Sequence, residues 1–383
     1  MAFLVVAIGS SAQHTVRVSV ASLPQFHSTD SSLYLAGNFN GWNPKDNNYK
    51  FQKDAKGNYF FEAKVPDGMY EYKITRGSWD KVECKKDGSG IQNRFLKLSS
   101  DTIINLTIEE WVDRFPAKPR VSTAGKNVRI IDTAFLIPQL NRTRRVWIYL
   151  PRDYATSKKN YAVLYMHDGQ NVFDDATSYA GEWGVDEFMD SLKPGKACIV
   201  VAVDHGGAKR INEYCPYDFS TRVGGGTAEG KGEGDQYVDF LAKTLKPFID
   251  KNYRTLADKS HTYIAGSSMG GIISMYAVLK YPDVFGGAGV FSPAFWVGPK
   301  IFDDIKDKGS KVNSRIYFYA GGKEGDRMVP DMTRVHAEIM KVSNNADNMV
   351  VAVDDEAQHN ESAWRKWFPH FYLWLIGDEK FEK

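Results

Sequence analysis

Between residues 15 and 111 the chain alternates between apolar and polar positions. Val16, Val18 and Val20 fall on one side of an extended run, Leu33-Tyr34-Leu35-Ala36 makes a second, and residues 58–65 alternate again. Pro66-Asp67-Gly68 then turns the chain into Met69-Tyr70-Glu71-Tyr72-Lys73-Ile74. A period of two marks a strand with one buried face, and close-set short strands with dense turn chemistry predict a small β-sandwich over residues 14–112. Residues 113–126 hold two prolines among small residues and read as a semi-rigid linker.

After residue 127 the period changes. Residues 127–131, 134–137 and 143–150 predict strands, while 161–166 and 197–203 are apolar throughout, as in strands covered on both faces. Residues 235–250 carry a helical period, and later strands are predicted at 287–291, 314–320 and 348–353. Repeated β-α units after an initial hairpin predict an α/β domain over residues 127–383, a mostly parallel sheet with helices on both faces.

At 383 residues the chain fits this division into one small and one large domain. Nine Trp and twenty Tyr allow a full core with aromatics over for a surface, and suit stacking on sugars or other planar rings as well as core filling. The net charge of +2 implies no polyanionic partner, which argues against nucleic acid. Residues 1–13 combine a short apolar run, Phe3 to Ile8, with small residues at Ser10-Ser11-Ala12. They read as a signal-peptide remnant and predict a secreted or periplasmic protein. No other segment approaches the ~20 apolar residues of a membrane span. Cys84, Cys198 and Cys215 are scattered, without metal-ligand spacing.

The densest chemistry lies at residues 262–281. An apolar strand meets Gly266-Ser267-Ser268-Met269-Gly270, then a helix-period run that stops before Pro282. This is a nucleophile elbow: Ser268 sits at a strained tip, and Gly266, Gly270 and Gly271 supply the small neighbours it needs. The bland alternative is a glycine-rich turn whose serines only cap the helix. In such a fold an acid and a histidine follow on loops after later strands. Glu324 lies in the loop after strand 316–320, with Asp326 as the alternate acid, and His359 follows strand 349–353. His359 would take and return the serine proton, and the carboxylate would fix its tautomer. For an oxyanion hole the expected donors are the amide of Met269 and that of Gly169 or Gln170, in the loop after Met166.

Two resemblances add to this. Residues 33–42 with 57–79, including Tyr72-Lys73-Ile74-Thr75-Arg76-Gly77-Ser78-Trp79, resemble the immunoglobulin-like carbohydrate-binding modules of families 20 and 48. That resemblance implies sugar stacking by Trp42 or Trp79, with Lys73 or Lys81 donating hydrogen bonds. Residues 166–174, Gly266 to Gly271, Ser292-Pro293-Ala294-Phe295-Trp296, 321–326 and 359–364 resemble the esterase family of esterase D, enterochelin esterase, mycolyl transferases and the carbohydrate esterases of family 1. The family implies an α/β-hydrolase fold, a serine nucleophile and no metal or cofactor; Gln358 departs from the glycine that some relatives carry before the histidine.

Together the two modules resemble plant-cell-wall esterases, which points to a feruloyl esterase acting on arabinoxylan. Trp183, Phe173, Trp296 and Trp364 are candidates to stack on the hydroxycinnamate, although such residues more often fill a core, and glycine-rich residues 206–234 to form a lid or rim, with Asn212-Glu213-Tyr214 along it. The alternatives are an acetylxylan esterase with a smaller acyl pocket, a siderophore esterase with a cationic cleft, and a polysaccharide-binding protein with a retired hydrolase body.

Overall fold

The computed structural model describes residues 13–40, 42–116, 120–223, 226–343 and 348–380, with side chains left out at 221–228. The signal-peptide remnant, save Gln13, and Gly224 and Gly225 of the expected lid lie outside the described residues. Two compact units divide the chain, the first ending at residue 119 and the second beginning at Arg120; residues 222–228 are grouped with the first. Among the described residues no helix is long and apolar enough to cross a membrane.

In the first unit the strands are ordered Gln52–Lys53, Tyr59–Pro66, Gln13–Ser22, Thr102–Thr107 in one sheet and Tyr34–Gly37, Gly68–Thr75, Arg94–Leu98 in another. Alternation does what it predicts: Val16, Val18 and Val20 are buried with Leu35, Phe61 and Ile74 in one core.

In the second unit eight strands form one sheet: β1 Val128–Ile137, β2 Arg142–Tyr149, β3 Val163–His167, β4 Ile199–Val203, β5 Thr262–Ser267, β6 Gly287–Phe291, β7 Arg315–Gly321 and β8 Met349–Asp354. Their order is β1-β2-β4-β3-β5-β6-β7-β8. β2 runs antiparallel to both β1 and β4, and all pairs from β4 to β8 are parallel. This is the α/β-hydrolase fold. Strands β3 to β6 are buried on both faces, which is why their sequences are apolar without alternation. The two strands expected at 127–131 and 134–137 are one strand, bent by register shifts after Ile130 and Asp132.

The helical run at 234–252 widens to a π turn at Leu241–Leu245, just ahead of Pro247, whose ring crowds the carbonyl four residues back. Part of the expected linker is fixed to the hydrolase unit. Arg120 Nη1 donates to the Ser178 carbonyl at 2.5 Å, Ser122 Oγ and the Thr123 amide donate to Asp174 at 2.8 and 3.1 Å, and the Gly125 amide donates to Asp186 at 2.7 Å. Polar residues in a loop read as flexible by composition, but buried carboxylates opposite them turn that polarity into anchorage.

Candidate active site

Ser268, Glu324 and His359 all follow the C-terminal ends of parallel strands, β5, β7 and β8. Ser268 has φ 59° and ψ −117°, a conformation that side chains rarely adopt. Two neighbouring contacts hold it: its amide donates to the Phe291 carbonyl at 3.0 Å, and its own carbonyl accepts from the Ala294 amide at 3.1 Å. The elbow glycines are sterically required. A Cβ on Gly266 would lie 2.8 Å from His167 Cδ2, and one on Gly271 would lie 2.8 Å from the Phe291 carbonyl oxygen. The helix Met269–Lys280 starts at once, so the Met269 amide opens its first turn with no acceptor in the turn itself.

Glu324 and His359 meet directly. His359 Nδ1 lies 2.7 Å from Glu324 Oε2, and the Glu324 side chain is fully buried. The other carboxylate oxygen, Oε1, accepts from Ser292 Oγ at 2.7 Å and from the Gly321 amide at 2.6 Å. A carboxylate opposite Nδ1 selects the tautomer with the proton there and makes Nε2 the accepting nitrogen. Asp326, the alternate acid, is exposed. Glu324 thus fills the acid position geometrically.

Sequence reading missed the support around this pair. Ser292, fully buried with φ 42°, also accepts from Trp364 Nε1 at 2.9 Å, and the Trp364 ring stands edge-on to His359 at 5.0 Å. Asn360 caps the helix Glu361–Leu375 by accepting from the Ala363 amide, so the histidine loop is held at its exit. The available signal was a serine directly ending the apolar strand β6 beside the elbow strand.

The oxyanion-side loop begins at His167. Asp168 adopts φ 55°, and Gly169 and Gln170 open a short turn, Gly169–Asn171. Gly169 admits no side chain, because a Cβ there would lie 2.9 Å from the Val203 carbonyl carbon. A Cβ on Gly270 would lie 3.3 Å from His167 Cβ and 3.5 Å from Asp168 Oδ2, so this loop and the elbow helix adjoin. Arg210 grips Asp168 with two hydrogen bonds, Nε to Oδ1 at 2.7 Å and Nη2 to Oδ2 at 2.8 Å. Burial pushes the Asp168 carboxyl up, but the Arg210 guanidinium outweighs it and the net shift is downward. Burial lowers His167 to about 4, so it is neutral; its Nδ1 faces Tyr237 Oη at 3.1 Å. Glu361, raised by burial, accepts from Asn171 Nδ2 at 3.2 Å and ties this loop to the histidine side.

Three of the four candidate stacking residues belong to the core instead. Phe173, Trp183 and Trp364 are 1, 4 and 5 % exposed, and Trp183 stacks on Trp364 at 5.6 Å. Their hydrophobicity is spent on packing beneath the site. Trp296 is half-buried, with Arg327 5.9 Å above its ring. The aromatic that sequence reading overlooked is Tyr179, 65 % exposed, whose amide donates to Asn171 Oδ1 at 3.0 Å. Residues 206–234 are not a uniform lid: Arg210–Tyr214 is helical, and Glu213 and Tyr214 are fully buried, with Glu213 paired to Arg142 and Arg144. In the sandwich, Trp42 and Trp79 lie side by side with ring centroids 6.2 Å apart, both half-buried; Lys73 is half-buried and Lys81 exposed. Burial lowers the Lys73 ammonium.

A match to the family described as Putative esterase spans residues 137–376, more than half of the chain. The chain belongs to this esterase family. Residues 31–106 match the pullulanase X25 domain, in keeping with a carbohydrate-binding module at the N-terminus. Among curated relatives, the uncharacterized protein YbbA of Bacillus subtilis is 25% identical over 245 residues, 62% of this chain and 94% of that protein. The endo-1,4-beta-xylanase/feruloyl esterase of Xylanibacter ruminicola is 27% identical over 224 residues, 57% of this chain but only 27% of that protein. The solved enterobactin esterase of Shigella flexneri, at 16% identity, covers 94% of this chain and 92% of its own with a TM-score of 0.55, a likeness of fold. This esterase is a carboxylic ester hydrolase.

Proposed function

We propose that the protein is a secreted feruloyl esterase that releases ferulic acid from arabinoxylan through an acyl-enzyme on Ser268. The observation that carries the serine mechanism is the Glu324–His359 contact at 2.7 Å, at the same C-terminal end of the parallel strands as the elbow. In this reading His359 Nε2 removes the Ser268 proton as Oγ attacks the ester carbonyl. The Met269 amide and that of Gly169 or Gln170 meet the developing oxyanion, and His359 returns the proton to the departing sugar hydroxyl. Water then repeats the sequence on the acyl-enzyme, with ferulic acid leaving and Ser268 regaining its proton. Glu324 stays ionised and stabilises the imidazolium.

The feruloyl group is favoured by the Xylanibacter relative, and a polysaccharide-bound substrate by the pullulanase-type domain with its Trp42 and Trp79 pair. Export rests on the apolar run at the N-terminus. With Phe173, Trp183 and Trp364 in the core, contact with the acyl ring falls to Trp296 and Tyr179. Acetylxylan esterase is the second reading, favoured by that loss of aromatic candidates. Ferulate release from arabinoxylan measured beside acetate release from acetylated xylan separates the two: predominant serine-dependent ferulate supports the proposal, and predominant acetate replaces it.

A further inference from the structure

We propose that Glu182, Asp186 and Glu187 form a binding site for one divalent cation, calcium, separate from the catalytic residues. Glu182 precedes Trp183, and Asp186 and Glu187 open the helix Val185–Ser191. The three carboxylates offer oxygens that all lie within 4.8 Å of one another. Oxygens about 2.3–2.6 Å from a calcium ion lie at most about 4.6–5.2 Å apart across it, so this spread fits one ion.

A second observation points to a ligand. Glu182 and Asp186 are 6 and 1 % exposed, yet Glu182 Oε2 and Asp186 Oδ1 have no hydrogen-bond partner. Their companion oxygens are engaged: Asp186 Oδ2 accepts from the Gly125 amide at 2.7 Å, and Glu182 Oε1 faces Arg365 Nη1 at 3.4 Å. Buried carboxylate oxygens without donors are unfavourable unless a proton or a cation meets them.

Arg365 is the counter-charge at hand, 3.4 Å from Glu182 and 3.8 Å from Glu187. One guanidinium against three carboxylates leaves excess negative charge. Every donor is a hard oxygen, which selects calcium or magnesium over zinc or copper. Calcium tolerates an irregular shell of six to eight ligands completed by water, and exposed Glu187 gives it an approach, whereas magnesium demands a tight octahedron.

The site would also have a structural effect. It would bind Gly125 of the anchored segment to Trp183, which stacks on Trp364 beneath His359.

The test uses the full chain freed of metal with EDTA and dialysed, then titrated calorimetrically with calcium chloride and, separately, magnesium chloride, with thermal melts in parallel. The site predicts one equivalent of calcium bound and a melting temperature higher by roughly 5 °C at saturation, with a weaker response to magnesium. Asp186→Asn and Glu182→Gln should each abolish both signals while melting in EDTA no lower than the parent, since each removes a repelling charge. Should either fail to fold, Glu187→Gln at the exposed position should weaken calcium binding at least tenfold. No heat and no shift in the parent, an equal response to magnesium, or a calcium shift that survives in the folded variants would overturn the assignment.

Discussion

Ser292 Oγ donates to Glu324 Oε1 at 2.7 Å, and through that contact the two halves of the candidate site share one support. Phe291, just before Ser292, and Ala294, two residues after it, clamp the backbone of Ser268, while Glu324 holds His359. Strand β6 and the turn after it therefore set the nucleophile and the base against the same short segment. Ser292→Ala should leave the Trp364 indole without its acceptor and free one side of the carboxylate. The expected cost is about 1–3 kcal/mol in urea unfolding, with kcat on a soluble ester down about tenfold and KM little changed. An unchanged kcat would show that Glu324 is positioned without Ser292.

The two candidate acids separate by substitution. Glu324→Gln keeps the shape but removes the charge opposite His359 Nδ1, and kcat should fall about 10,000-fold. Asp326→Asn, at an exposed position, should stay within about twofold. Steady-state kinetics on one soluble aryl ester read both.

Acid should destabilise the fold through His167. Its folded value is lowered to about 4, against about 6.5 in the unfolded chain, so between these the unfolded state binds the extra proton. Its contribution is fully present above pH 6.5 and is lost as pH falls towards 4, about 3 kcal/mol in all. Urea midpoints at pH 7 and pH 4.5 should show this loss, and His167→Gln should flatten it. A slope unchanged in the variant would place the titration elsewhere.

Buried Asp168 and partly exposed Arg210 pair beside the oxyanion loop. Asp168→Asn leaves the guanidinium without its charged partner and should cost about 1–3 kcal/mol in denaturant unfolding. The reciprocal Arg210→Leu should not be milder at neutral pH.

The aromatic residues divide by role. Trp183→Ala should cost about 3–5 kcal/mol, as expected of a packed core ring. Tyr179→Ala should leave stability nearly unchanged but raise KM for methyl ferulate about threefold to tenfold more than for an acetyl ester. Equal effects on both esters would remove Tyr179 from the acyl site.

Much of this was legible in the sequence, for physical reasons. Buried parallel strands must be apolar throughout, so β3, β4 and β5 stood out, and the elbow announced itself through glycines, of which the packing demands those at 266 and 271. Glu324 and His359 were marked by their place after strands. What composition hides is which face a side chain turns to. Trp183 and Trp364 could serve in a pocket or, as such residues more often do, in the core, and their burial and mutual stacking place them in the core. The Ser292 support and the Asp168–Arg210 pair join residues distant in the chain, with no periodicity to announce them. Glycine density at 206–234 hid the helix Arg210–Tyr214, whose buried Glu213 needs partners on strand β2.

The central claim, that Ser268 is the acylated nucleophile, is tested most directly by labelling with a fluorophosphonate, mapping the modified peptide by mass spectrometry, and following turnover in native protein and Ser268→Ala. The account predicts one label per chain, on Ser268, with activity lost in step, and neither labelling nor turnover in the variant. A label on another residue, or ester turnover that survives in Ser268→Ala, would contradict it.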